Sequence, residues 1–201
     1  MAIALYKWNE TDETTKARIM RRAQADIDHV CEIVKPIIDD VRKNGDDALR
    51  RYAKKFEGAD VTNIKASKEE FDAAADKLDD DLKAAIEKCI ANVKMFHVKQ
   101  MNHVPPRWME EIEPGVFAGE QVSAIESVGL YVPRGKGAFP SALYMLAVPA
   151  VIAGVNEIAI VTPPCADGSI DAATLFTARL CGVEHVYKCG GAQGIAALAY
   201  G

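Results

Sequence analysis

From Thr11 to Asn44 the apolar residues Ile19, Ile27, Val30, Ile33, Val34, Ile37, Ile38 and Val41 recur at three- and four-residue spacing, which predicts helix. Pro36 falls inside this run and predicts a kink or a break there, because proline cannot donate to the helical ladder. Asn44-Gly45 reads as a helix stop, and Asp46 is placed to cap a following helix from Asp47 to Phe56. Ser67 with Glu70 three positions later has the form of a capping box, opening a helical stretch through Phe71, Ala74 and Leu78. Helical spacing resumes at Leu82 and continues through Ile86, Ile90, Val93 and Phe96 to about Gln100. This last helix is long and charged, which suits an arm or a dimer-facing element. His103 to Trp108, with its proline pair, reads as a connector, and Glu113-Pro114-Gly115 as a turn into a short strand, Val116 to Glu120.

Beyond residue 120 the rhythm changes. Short apolar runs, Ser127 to Val132, Glu157 to Thr162 and His185 to Lys188, alternate with Ala-rich helical segments, Ser141 to Ala153, Ile170 to Cys181 and Ala192 to Tyr200. Strand and helix in strict alternation predict a parallel α/β sheet, since parallel neighbours need a crossover. Charge supports the division, because only nine charged side chains lie in residues 121–201 of a chain with 24 basic and 29 acidic ones. The expectation is a mainly helical region over 1–110 and a Rossmann-like α/β unit over 111–201.

Composition narrows the class. A hydrophobic fraction of 49% can furnish a core, and no apolar run approaches the roughly 20 residues of a membrane span. A net charge of -5 argues against general nucleic-acid binding, which needs a basic stripe. The N-terminus carries no export signal, and five widely spaced cysteines fit reduced thiols of a cytoplasmic protein.

Two loops follow predicted strand ends. Gly129-Leu-Tyr-Val-Pro-Arg-Gly-Lys-Gly137 offers Arg134 and Lys136 before a helix, an arrangement open to an anion or to solvent alone. Cys189-Gly-Gly-Ala-Gln-Gly194 opens the last helix; its glycines suit either a close-approaching nucleotide or close packing of helix on sheet. It is neither a GxGxxG nor a Walker motif. His29, His97, His103 and His185 lack metal-ligand spacing, and no serine sits in a nucleophile elbow.

These loops, Val128-Gly-Leu-Tyr-Val-Pro-Arg-Gly-Lys136 and Gly190-Gly-Ala-Gln-Gly-Ile-Ala-Ala-Leu-Ala-Tyr-Gly201, resemble the histidinol dehydrogenase family. So do Phe139-Pro-Ser141, Ala147-Val-Pro-Ala150, Val161-Thr-Pro-Pro164, and Val41 to Leu49 followed by Tyr52 and Phe56. Phe96-His97 with Gln100 fits as well, so that the likeness covers nearly the whole chain. The resemblance implies a helical arm followed by an incomplete Rossmann-like sheet, of the aldehyde dehydrogenase-like or histidinol dehydrogenase-like kind. It implies a homodimer that uses NAD and zinc to oxidise a small-molecule alcohol to a carboxylate in two hydride transfers through the aldehyde. Tyr131 and Gln193 match the family's NAD-contacting positions.

Two departures accompany the match. Zinc ligands, an adjacent Glu-His acid/base pair and a substrate-binding serine have no counterparts up to Gly201, so the resemblance implies an N-terminal fragment, inactive and poorly soluble alone. Arg134 and Gly194 stand where the typical histidinol enzyme has glycine and alanine; the Pro-Arg-Gly-Lys-Gly form resembles relatives that oxidise other polar alcohols, such as sulfonated diols. A non-catalytic nucleotide-binding or dimerisation module is the alternative of another class.

Overall fold

The computed structural model describes residues 4–21, 24–135 and 137–201. Lys136 therefore lies outside the described residues. The chain opens with a 3-10 turn, Trp8–Glu10, and a short helix α1, Glu13–Arg21, whose first turn is capped by Asp12 accepting from the Thr15 amide at 2.8 Å. Helix α2, Gln24–Tyr52, runs through Pro36 without leaving helical dihedrals and breaks instead at Gly45, at φ 51° and ψ -131°. Pro36 is exposed, so water can satisfy the carbonyl that its missing N–H leaves free. Gly45 takes a backbone conformation that side-chain-bearing residues avoid. Across this break Asp40 accepts from Asn44 at 2.6 Å and from Arg51 at 2.8 Å, and these bonds hold its carboxyl below the usual range.

In place of a full helix from 47 to 56, α2 passes into a wider π-helical turn, Ala53–Glu57, closed by Gly58 in the left-handed region. Helix α3, Lys68–Asp72, starts with the expected capping box: the Ser67 hydroxyl accepts from the Glu70 amide, and a Glu70 carboxylate oxygen accepts from the Ser67 amide at 2.9 Å. A 3-10 turn, Ala75–Lys77, leads to α4, Asp80–Met101, capped by Asp79.

An antiparallel hairpin follows, β1 Arg107–Glu113 and β2 Val116–Gln121, its residues all exposed. The second strand matches expectation; the first occupies residues read as connector and turn. Trp108 pairs with Glu120 across the ladder and donates its indole N–H to that carboxylate at 2.9 Å.

The remaining elements are β3 Ser127–Tyr131, α5 Pro140–Ile152, β4 Glu157–Thr162, α6 Ala172–Leu180, β5 His185–Lys188 and α7 Gly191–Tyr200. The three strands form one parallel sheet in the order β3-β4-β5. Side chains alternate between two cores, as a sheet covered on both faces requires. Leu130, Ile158, Ile160 and Val186 pack with α5, α6, Phe71 and Ala74. Tyr131, Val161 and Tyr187 pack on the other side with Val41, Leu49 and α7.

A segment of the helical half completes this sheet. Lys65 forms an antiparallel bridge with Tyr187, the Ala66 amide donates to Val186 O at 2.8 Å, and the Lys188 amide donates to Ile64 O at 2.7 Å. The same joint carries a buried charge. Lys188 Nζ lies 2.9 Å from Glu70 Oε1, with only 9% of the lysine side chain exposed, so one carboxylate both closes the α3 cap and neutralises the end of β5.

Glu70→Ala should therefore lower unfolding stability by about 3 kcal/mol in urea titration, because it leaves Lys188 buried without a partner. Adding Lys188→Met should recover part of that loss, and strict additivity of the two losses would contradict the pairing.

Candidate functional site

The register aligns the carboxyl ends of the strands. Tyr131 lies beside Val161, Val161 beside Tyr187, and Thr162 beside Lys188, so the loops after β3, β4 and β5 leave the sheet at one level. This is the edge at which open α/β sheets receive ligands.

Glycine lets α7 close onto that edge. A β-carbon at Gly190 would fall within the Pro163 ring, and one at Gly194 would stand 3.0 Å from Cys189 O. At the far end of the helix, one at Gly129 would sit 2.6 Å from a Leu198 methyl. The packing reading of the glycine loop is thus realised in the molecule. Gly191, at φ +56°, exposes its backbone at the turn, and its amide donates to the Tyr131 hydroxyl at 3.4 Å.

Tyr131 and Gln193, singled out in the sequence, meet at this turn from opposite sides. Tyr131 ends β3 half-buried, touching the Gly191 amide. Gln193 lies in the first turn of α7, 2% exposed, with its side chain folded beneath Gly191: a β-carbon on that glycine would come within 2.8 Å of Gln193 Oε1. Gln193 Nε2 donates to Glu57 Oε1 at 3.5 Å. The carboxamide therefore lies close against the glycine turn, held on its other end by Glu57.

Glu57 was not singled out in the sequence, and nothing in its surroundings there marks it. It closes the π-helical turn after α2, and its second oxygen, Oε2, is buried without a hydrogen-bond partner. Burial raises its carboxyl above the ordinary range, since loss of water disfavours the charged form. Neighbouring Cys189 is pushed up to about 12 by burial, with the charges of Glu57 and Asp46 adding to the effect. Cys181 rises to about 11 through burial alone. Both thiols stay protonated at neutral pH and offer no nucleophile.

Arg134 stands exposed in the loop after β3. Helix α5 begins at Pro140 with no side-chain cap at Phe139, whose carbonyl accepts from the Ala142 amide at 3.1 Å and the Leu143 amide at 3.3 Å. Among the described residues, no group of three or more His, Cys, Asp or Glu side chains is placed to hold a metal ion. These residues do not fit a zinc site, and no chemical step is derived through one.

A parallel sheet with a glycine turn at its carboxyl edge, packed against a helical arm, is a Rossmann-like α/β unit. Residues 20–201 match the family model described as histidinol dehydrogenase, and the chain belongs to that family. Among its relatives are a histidinol dehydrogenase homolog 2 of Mesorhizobium japonicum and the histidinol dehydrogenase of a Synechocystis strain. The first is 49% identical over 201 residues, covering 99% of this chain and 45% of the relative. The second is 45% identical over 186 residues, covering 92% and 42% respectively. The crystal structure of histidinol dehydrogenase from Elizabethkingia anophelis superposes with a TM-score of 0.79 at 35% identity, over 85% of this chain and 39% of that one. The chain thus spans less than half the length of these relatives.

The raised carboxyl of Glu57 has a sign. The folded state holds this proton more tightly than the unfolded one, so the group's contribution is fully present below the unfolded value near 4.5 and is lost as pH rises through the folded one. Glu57→Gln removes that loss. Its melting temperature relative to the unsubstituted chain should climb between acid and neutral pH in thermal scans, and a flat difference would contradict the burial of this charge.

Proposed function

We propose that the polypeptide carrying this chain is an NAD-linked oxidoreductase that converts L-histidinol to L-histidine through the aldehyde, as in histidine biosynthesis. The observation that carries this reading is membership of the histidinol dehydrogenase family over residues 20–201, with Tyr131 and Gln193 meeting at one glycine turn on the ligand-binding edge of the sheet.

NAD supplies the hydride acceptor in this reading. The exposed backbone of Gly191 lets a nucleotide approach, the Tyr131 hydroxyl offers a donor and an acceptor, and Arg134 offers a cation to a pyrophosphate. Zinc and the acid/base pair belong to residues outside those described, so residues 1–201 by themselves bind rather than catalyse. We also assign a homodimer, supported by Ile27, Val30 and Ile33, which leave apolar side chains exposed at helical spacing on α2. A cytoplasmic site of action follows from the biosynthetic role; no helix among the described residues is long and apolar enough to cross a membrane.

A second substrate has its own support. Arg134 offers an exposed cation in the loop after β3, at the carboxyl edge of the sheet. A sulfonated diol or another polar alcohol is the competing substrate. NADH formation by the complete polypeptide with L-histidinol would support the first reading; turnover of a sulfonated diol with none of histidinol would replace it.

Tyr131→Phe and Gln193→Ala should each weaken NAD+ binding roughly 3- to 30-fold in calorimetric titration, the scale of one lost hydrogen bond. Unchanged affinity in both would remove these residues from the cofactor site.

A further inference from the structure

A half-buried carboxylate with one long hydrogen bond and one buried, unpartnered oxygen contributes little to a fold. Glu57 is in that position: Oε1 accepts from Gln193 Nε2 at 3.5 Å and buried Oε2 has no partner. Groups kept against such a local cost mark sites where their chemistry is used.

The chemistry available to Glu57 is orientation. Gln193 has one end that donates and one that accepts, and nothing in its length or rotamers distinguishes them. A carboxylate only accepts. Beside Glu57 the nitrogen must face the carboxylate, and the oxygen is then turned under Gly191, where the structure has it. The two residues lie 136 positions apart, joined because the π-helical turn after α2 abuts the first turn of α7.

We propose that Glu57 is a positioning residue for the cofactor site: it fixes the Gln193 carboxamide with its oxygen toward the Gly190-Gly191 turn, so that the turn presents an acceptor to a ligand offering a hydroxyl or carboxamide donor. This rests on the reading of that turn as the NAD site, since NAD carries both kinds of donor. Glu57 itself touches no ligand and acts through Gln193.

The test uses the complete polypeptide labelled with 15N, in which the Gln193 side-chain amide signals are assigned by their loss in Gln193→Ala. Glu57→Leu should collapse the separated pair of Gln193 amide protons toward the positions of a free glutamine and weaken NAD+ binding roughly tenfold. Glu57→Gln, which keeps an acceptor but adds a donor, should give an intermediate result with the backbone spectrum unchanged, which separates orientation from loss of fold. Unmoved Gln193 signals in Glu57→Leu would overturn the proposal, as would collapsed signals with unaltered NAD+ affinity. If the unsubstituted protein fails to bind NAD+, the cofactor reading falls, and the amide signals still decide whether Glu57 orients Gln193.

Discussion

The close seating of α7 on the sheet is the constraint from which the rest of the site follows. Side chains at Gly190, Gly194 or Gly129 would meet Pro163, the Cys189 carbonyl and Leu198, so the helix lies nearer the strands than any substituted version of it could. That closeness brings the Gly191 amide to the Tyr131 hydroxyl and places Gln193 under the turn, within reach of Glu57. Cys189 is sealed beneath the same contact, which keeps its thiol protonated. One set of glycines thus sets both the packing of α7 and the shape of the turn that opens it.

The helical and sheet halves of the chain share their cores. Phe71 and Ala74 pack with the β4 and β5 side chains on one face, while Val41 and Leu49 lie against Val161 and Cys189 on the other. The Glu70 carboxylate ties the joint by serving the Ser67 amide and the Lys188 ammonium with different oxygens. Glu57 then carries the influence of the helical half to the mouth of the sheet. Gln193 Nε2 and Glu57 Oε1 join the turn after α2 to the first turn of α7 at 3.5 Å.

The second half of the molecule was readily legible, because its apolar runs are short, punctuated by glycine and proline, and compelled into a parallel arrangement by the helices between them. Strands β4 and β5 lie where the pattern puts them, and Ser67 with Glu70 closes the expected capping box. Strand β1 escaped notice because its apolar residues, Trp108, Met109 and Ile112, lack period-two alternation and stand among carboxylates after two prolines. Pro36 misled because solvent can hydrate the carbonyl it leaves free, whereas Asn44-Gly45, read as a helix stop, does mark the break, since Gly45 takes dihedrals that only glycine adopts comfortably. Tyr131 and Gln193 were visible through motif resemblance; their meeting at Gly191 needs the strand register. Glu57 had no local signal, since its partner lies across the fold.

The antiparallel pairing of residues 64–66 with β5 gives the sheet a direction of growth. One margin is sealed by a strand-like segment running against the others, and its outward bonds are spent on Val186 and Lys188. Among the described residues, the outer side of β3 carries no strand. Among the described residues, β3 from Ser127 to Tyr131 is therefore a margin left open to a further strand. The margin most open to aggregation is thus the one that ends at Tyr131.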